Sequence, residues 1–361
     1  MSARRRAGQA RGAPAAVALV SIAALAAAPL LLARGDGDDG GAAAEEWVLE
    51  TPAPEDDGVP AAVEGWESIS CAGCHEQIAR EWAGTRHALS WIDPHYQKAL
   101  KGLRRPKSCH GCHVPEPLHP EPLPQKPEAR GEEEQRGHGI TCETCHAGPD
   151  GTVLGPWGAA TEAHRSVRSA SFTAEGQDRL CIACHATNIG PVIGVARDLV
   201  ERDEPARGQS CVGCHMAPVE RPAAMDPETD DPSPVRAGRS HALQTPRDPR
   251  FLRLAFGLRA VDDGSEVALV VTNRCGHRLP GLDTRRIELS VTALDAQGAT
   301  REERTFTIDK QAFLPAGGEL RIPLARPAAK LSVRGLHHAP GFAAPVEFLA
   351  AELVPAAVES E

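Results

Sequence analysis

The chain has 361 residues, 41% of them hydrophobic but only 4% aromatic, with one tyrosine, Tyr96. That length allows two ordinary domains, yet so few rings leave little flat apolar mass for a conventional core. The net charge of −10 gives no basic footprint for nucleic acid.

Residues 1–34 carry five Arg and no acid, residues 35–66 carry ten acids and no Lys or Arg, and the remainder is left with −5. Arg4, Arg5, Arg6 and Arg11 precede an apolar run from Ala15 to Ala33, interrupted only by Ser21. The run is long for a signal peptide and just long enough to span a bilayer. Pro29, directly after Ala26-Ala27-Ala28, disfavours cleavage there. Residues 1–34 thus read as a signal sequence or, the favoured alternative, an N-terminal membrane anchor. Basic residues ahead of the run put the body outside the cytoplasm, anchored or secreted on the periplasmic side of the inner membrane. Residues 35–66 form an acidic flexible linker.

From 67 to 247 the chain repeats Cys-x-x-Cys-His five times: Cys71/Cys74/His75, Cys109/Cys112/His113, Cys142/Cys145/His146, Cys181/Cys184/His185 and Cys211/Cys214/His215. Ten of the eleven cysteines are used. The pattern is the attachment signature of c-type haem: two thiols bond the vinyl groups and the next histidine becomes the proximal iron ligand. Zinc sites also take Cys and His, but do not require His immediately after every second Cys. Five covalently attached haems c would supply the missing apolar mass. Folding of this segment should therefore be coupled to haem insertion. With only 30 to 39 residues from one motif to the next, the haems must lie close together. Short helices are expected after some motifs, as over 76–83, and exposed loops without regular structure over 114–137 and 221–239. The fold expected for 67–247 is a mainly α and irregular pentahaem cytochrome c domain.

After residue 248 the motifs stop and period-2 patterns begin. Ile287, Leu289, Val291 and Ala293 alternate with polar residues, and similar runs cover 252–260, 267–273, 305–308, 320–324, 330–333 and 346–353. They predict a small antiparallel β-sandwich over 248–361.

The sixth iron position decides between an electron wire and a catalyst. Outside the proximal set lie His87, His95, His110, His119, His138, His164, His241, His277, His337 and His338, enough to close five irons. Met225 is the one methionine with any place as a ligand. The odd thiol, Cys275, reads as a small buried residue beside a tight turn, and His337-His338 as a surface pair.

Several segments carry a resemblance: Cys71 to His75 with Trp82 and Arg86-His87-Ala88, Gly139-Ile140-Thr141 before Cys142, Cys211 to Met216, Arg239-Ser240-His241, and Asn273 through His277 to Pro280-Gly281. Over roughly 67–325 the chain resembles multihaem cytochromes of the hydroxylamine oxidoreductase and cytochrome c nitrite reductase superfamily, above all the small electron-transfer members. Carried onto matching positions, the resemblance implies His87, His138, His164, His241 and His277 as distal ligands, with His110 as an alternative. It also marks departures. No motif ends in Lys, as at the active haem of the nitrite reductases. Hydroxylamine oxidoreductases use a tyrosine crosslinked to the catalytic haem, whereas this chain has Tyr96 alone, and a Thr common between Pro280 and Gly281 is missing. The expectation is an electron carrier between redox partner proteins, a reading compatible with one subunit of a membrane-bound respiratory complex, with no catalytic residue. The alternative is an oxidoreductase with one open haem acting on a small nitrogen or sulfur oxyanion.

Overall fold

In the computed structural model the described residues are 60–118, 127–131, 137–173, 178–190, 192–200 and 210–357. The apolar run over 15–33, nearly all of the acidic stretch and His119 lie outside them. All described residues fall within one compact unit, Glu46–Glu361.

Helices in the first half are short, and most lie on the motifs themselves. Helix α1 (Glu76–Ala83) follows the first motif, and α2 (Pro94–Lys101) is capped by Asp93, whose carboxylate accepts from the amides of His95 and Tyr96. Helices α3 (Lys107–His113), α4 (Cys142–His146), α5 (Arg179–His185) and α7 (Cys211–His215) contain motifs two to five, while α6 is Val195–Val200. The helix expected over 76–83 is α1. Motifs two to five lie within helices of their own, because one helical turn brings residues i, i+3 and i+4 to one face, which is what two thiols and a histidine serving one macrocycle need.

Apolar packing here is thin. Val63, Trp82, Ala83, Ala88 and Leu89 form one cluster, and α1 contributes Ala79, Trp82 and Ala83 as its buried stripe. The Trp82 Nε1 donates to the Ile140 carbonyl at 2.8 Å. Gly139 passes so close to the 87–90 backbone that a Cβ would lie 2.5 Å from the His87 carbonyl oxygen.

Three features depart from the expected loops. Strands β1 (Val153–Gly155), β2 (Ala159–Ala160) and β3 (Arg165–Arg168) make a small sheet between motifs three and four. Strands β4 (Pro218–Pro222) and β5 (Val235–Arg239) pair antiparallel, so 221–239 is partly a ribbon. Its Met225 amide donates to the Cys74 carbonyl at 2.7 Å, which seats the ribbon on the first motif. The described legs of 114–137 also pair, with Glu116 N bonded to Glu128 O at 2.8 Å, and Val114 is fully buried. Proline spacing marked these segments as loops because it reports local backbone restriction, not the tertiary partners that pair them.

The second half begins with α8 (Pro249–Arg253), capped by Asp248. The expected strand from 252 starts only at Phe256, because Asp248-Pro249 is a helix-start signal that outweighs the alternation behind it. Strands β6 (Phe256–Asp262), β7 (Val267–Asn273), β10 (Glu319–Leu324) and β13 (Ala356–Ala357) form one sheet in the order β10-β7-β6-β13. Strands β8 (Arg286–Leu294), β9 (Thr300–Ile308), β11 (Lys330–His338) and β12 (Val346–Leu353) form another, in the order β12-β11-β8-β9. All pairings are antiparallel except β13 with β6. Alternate residues of both sheets, among them Leu269, Val271, Leu289, Val291, Leu331 and Phe348, meet in one apolar cluster. Strand β9 starts earlier than its apolar pattern, since Arg301 to Arg304 sit on a sheet edge, where charge blunts further pairing. Strand β11 runs on to His338 through Gly335, where a Cβ would meet the Phe348 ring at 2.8 Å. His337 and His338 are therefore no surface pair: they point to opposite faces, with His337 1% exposed and His338 against Arg286 at 3.1 Å.

Candidate haem sites

The motif helices are fixed locally by their caps. Ser210 Oγ accepts from Gly213 N at 2.8 Å in α7, and Thr141 and Thr144 form a capping box around α4. Gly111 in α3 lies against the Pro127 carbonyl, 2.1 Å from where a Cβ would sit, so the second motif packs where only glycine fits.

Four motif histidines are anchored through one ring nitrogen. The Nδ1 atoms of His75, His113, His146 and His215 lie 2.6, 2.9, 2.7 and 2.7 Å from the carbonyls of Ala223, Ser90, Leu154 and Gln244. A carbonyl can only accept, so each Nδ1 carries the proton and each Nε2 keeps its lone pair for a metal. These carbonyls come from the ribbon before β5, the turn after α1, strand β1 and the segment before α8. None could be assigned from motif spacing.

Across from four motif histidines stands a second imidazole. Ring centres are separated by 6.3 Å for His75 and His164, 6.2 Å for His146 and His241, 6.2 Å for His185 and His87, and 6.5 Å for His215 and His277. Two metal–nitrogen bonds of ~2 Å, plus about 1 Å from each nitrogen to its ring centre, put axial imidazoles about 6 Å apart. The residues thus fit a haem iron between each pair. Among the described residues no group of three or more His, Cys, Asp or Glu is placed to hold a bare metal ion. Burial, then neighbouring imidazoles, pushes His87 and His241 down to about 4 and lowers His185 and His277 as well, keeping these rings neutral and able to ligate.

The second motif differs. His113 is stacked on the Tyr96 ring at 3.7 Å and 3°, not set opposite an imidazole. His138 packs edge-on to Trp82 at 6.1 Å, and His110 is buried edge-on to Trp91 at 5.2 Å. Met225 is exposed.

Thiols of different motifs also meet. Cys71 hydrogen-bonds with Cys142, Cys112 with Cys184, and Cys181 with Cys211. The first contact brings Cys71 down to about 6, against burial. Cys145 lies close enough to raise the Cys184 thiol. Cys275 packs against the sheet core, and burial pushes it up to about 12.

Surrounding residues position His241 and His277. Glu81 of α1 pairs with Arg221 of β4 and accepts from the His241 amide at 2.8 Å. Burial alone would raise Glu81, but Arg221 and that amide hold it below the usual carboxylate range. Asn273 is 1% exposed; its Nδ2 donates to the carbonyls of His277, Leu314 and Pro315, and its Oδ1 accepts from Cys275 N at 2.8 Å. That side chain shapes the turn presenting His277. Arg278 then pairs with Asp198 of α6 through two bonds of 2.7 and 2.6 Å. Glu81, Asn273 and Asp198 carry no motif of their own; the first and last could be recognised only once their partners were brought near.

Residues 70–147, which hold three of the five motifs, match the family described as cytochrome c554 and c-prime. The motifs and this match define a class, the multihaem c-type cytochromes. Among solved structures, the chain is similar to a penta-heme cytochrome c552 from Thermochromatium tepidum, with a TM-score of 0.48, 14% identity, and coverage of 80% of this chain and 98% of that one. No protein of curated function matches the chain.

Proposed function

We propose that this chain is a pentahaem c-type cytochrome that passes electrons between partner proteins outside the cytoplasmic membrane, held there by its N-terminal segment. When bound, the haem irons supply one-electron exchange. The ten motif cysteines would tether them, His75, His113, His146, His185 and His215 would hold them from one side, and His164, His241, His87 and His277 would hold four of them from the other. The carrying observation is the set of four imidazole pairs at 6.2 to 6.5 Å. Two-histidine ligation leaves no position for substrate, which is the ligation of a relay. The contacts between motif cysteines support three neighbour relations: first with third, second with fourth, and fourth with fifth. The two four-stranded sheets we read as a small sandwich that serves as a docking module, and the whole as a relative of the hydroxylamine oxidoreductase and nitrite reductase superfamily.

The second motif favours a second reading. His113 faces a tyrosine ring where the others face histidines, so its iron is the candidate open position of an oxidoreductase acting on a small nitrogen or sulfur oxyanion. Haem stoichiometry by pyridine haemochrome comes first, with five per chain expected. Low-temperature EPR then separates the readings. Four low-spin signals and a fifth indifferent to nitrite and cyanide support the carrier; a high-spin signal that shifts with nitrite supports the enzyme. Fewer than five haems would undo both.

A further inference from the structure

Arg285 stands at the entry to β8, and its Nε is buried with no hydrogen-bond partner among the described residues. The two charged side chains acting on it are themselves guanidiniums, Arg247 and Arg86; they and the larger effect of burial push Arg285 down to about 10. The Arg247 guanidinium lies 4.9 Å over the Phe342 ring, and Phe342 meets the buried His337 ring edge-on at 5.5 Å. Neither His337 ring nitrogen has a well-formed partner, although the Pro246 carbonyl lies beside it. Arg86 precedes His87 and bonds Asp93 at 3.1 Å, while the field of Arg285 reaches His277.

A guanidinium whose Nε is buried and meets no acid among the described residues is costly, so such a group implies an anion that arrives with something else. Its planar fork matches a carboxylate. A haem between His215 and His277 carries two carboxylates on its edge. Resting on the haem reading above, we propose that Arg285, flanked by Arg247 and Arg86, is the seat of a propionate of the fifth haem. It thereby joins the sheet module to the haem chain and raises that haem's reduction potential, since a nearby cation favours the ferrous state.

The test is an EPR-monitored redox titration of the full-length holoprotein carrying Arg285→Gln, Arg285→Lys or Arg247→Gln. The fifth haem is identified as the one whose low-spin signal is lost in His277→Ala. With haem content unchanged, Arg285→Gln should move that haem alone to lower potential, Arg285→Lys should stay near wild type, and Arg247→Gln should give a smaller shift of the same haem. Should Arg285→Gln fail to mature, the Lys and Arg247 variants decide the matter. An unmoved fifth haem, a shift in another haem, or equal shifts for Gln and Lys overturns the proposal. Nitrite added to the wild type should leave the fifth potential in place; a shift that Arg285→Gln abolishes would make the seat one for a free oxyanion and overturn it too. Fewer than five haems, or absent two-histidine signals in the wild type, would instead defeat the haem reading itself.

Discussion

An imidazole can serve as an iron ligand when its two nitrogens are given different tasks, and in four motif histidines the backbone engages one of the two. Carbonyls of Ala223, Ser90, Leu154 and Gln244 take the Nδ1 proton, which fixes both tautomer and ring plane. Replacing a distal histidine should therefore be local: His164→Ala should exchange one low-spin EPR signal for a high-spin, cyanide-sensitive one and leave the others in place. Glu81 works at the same scale, with Arg221 and the His241 amide as partners at mostly buried side chains. Glu81→Gln should cost about 1–3 kcal/mol at neutral pH by chemical denaturation. Because the folded carboxyl titrates below its unfolded value, its contribution is full above about pH 4.3 and is lost as pH falls through the folded value. The difference between wild type and Glu81→Gln should accordingly shrink in acid.

At the scale of elements, the motif turns are positioned by close approach and the distal turns by side-chain scaffolding. Gly139→Ala would place a Cβ 2.5 Å from the His87 carbonyl and 2.8 Å from the Ser90 amide. Backbone would have to shift, at about 1–3 kcal/mol, with a perturbed EPR signal for the haem that His87 serves. Asn273→Ala would strip donors from three carbonyls and the acceptor from the Cys275 amide. A loss of about 3 kcal/mol is expected from the buried groups left behind, together with a changed low-spin signal for the haem facing His277. Both predictions tie a spectroscopic change to a packing change, which denaturation alone would not separate.

Over the whole molecule, apolar packing is unevenly shared. The large cluster draws on Leu252 to Leu349, whereas residues 60–118 supply one cluster of five buried residues. The sheets can consequently fold on their own core while the motif segment waits for its cofactors. Expressed without haem ligation, the full chain should keep a β-type far-UV circular dichroism signal, lose its short helices, and be trimmed by protease to a resistant fragment starting near residue 248. Complete digestion, or a helical signal equal to that of the holoprotein, would contradict this division.

Some of this was legible in the linear chain and some was not. The five motif turns and the strand-rich tail follow from local pattern: Cys-x-x-Cys-His fits one helical turn and Ile287 to Ala293 alternate with period two, so neighbours along the chain suffice. Which histidine stands opposite which, and that His113 meets Tyr96 while His138 lies against Trp82, depends on segments far apart in sequence. So do the carbonyls that orient the motif histidine rings, the pairing of β4 with β5, and the unpartnered Nε of Arg285. Those were decided only in three dimensions, because a ligand pair or a buried charge is defined by distances across the fold, and the residues that set them carry no pattern of their own.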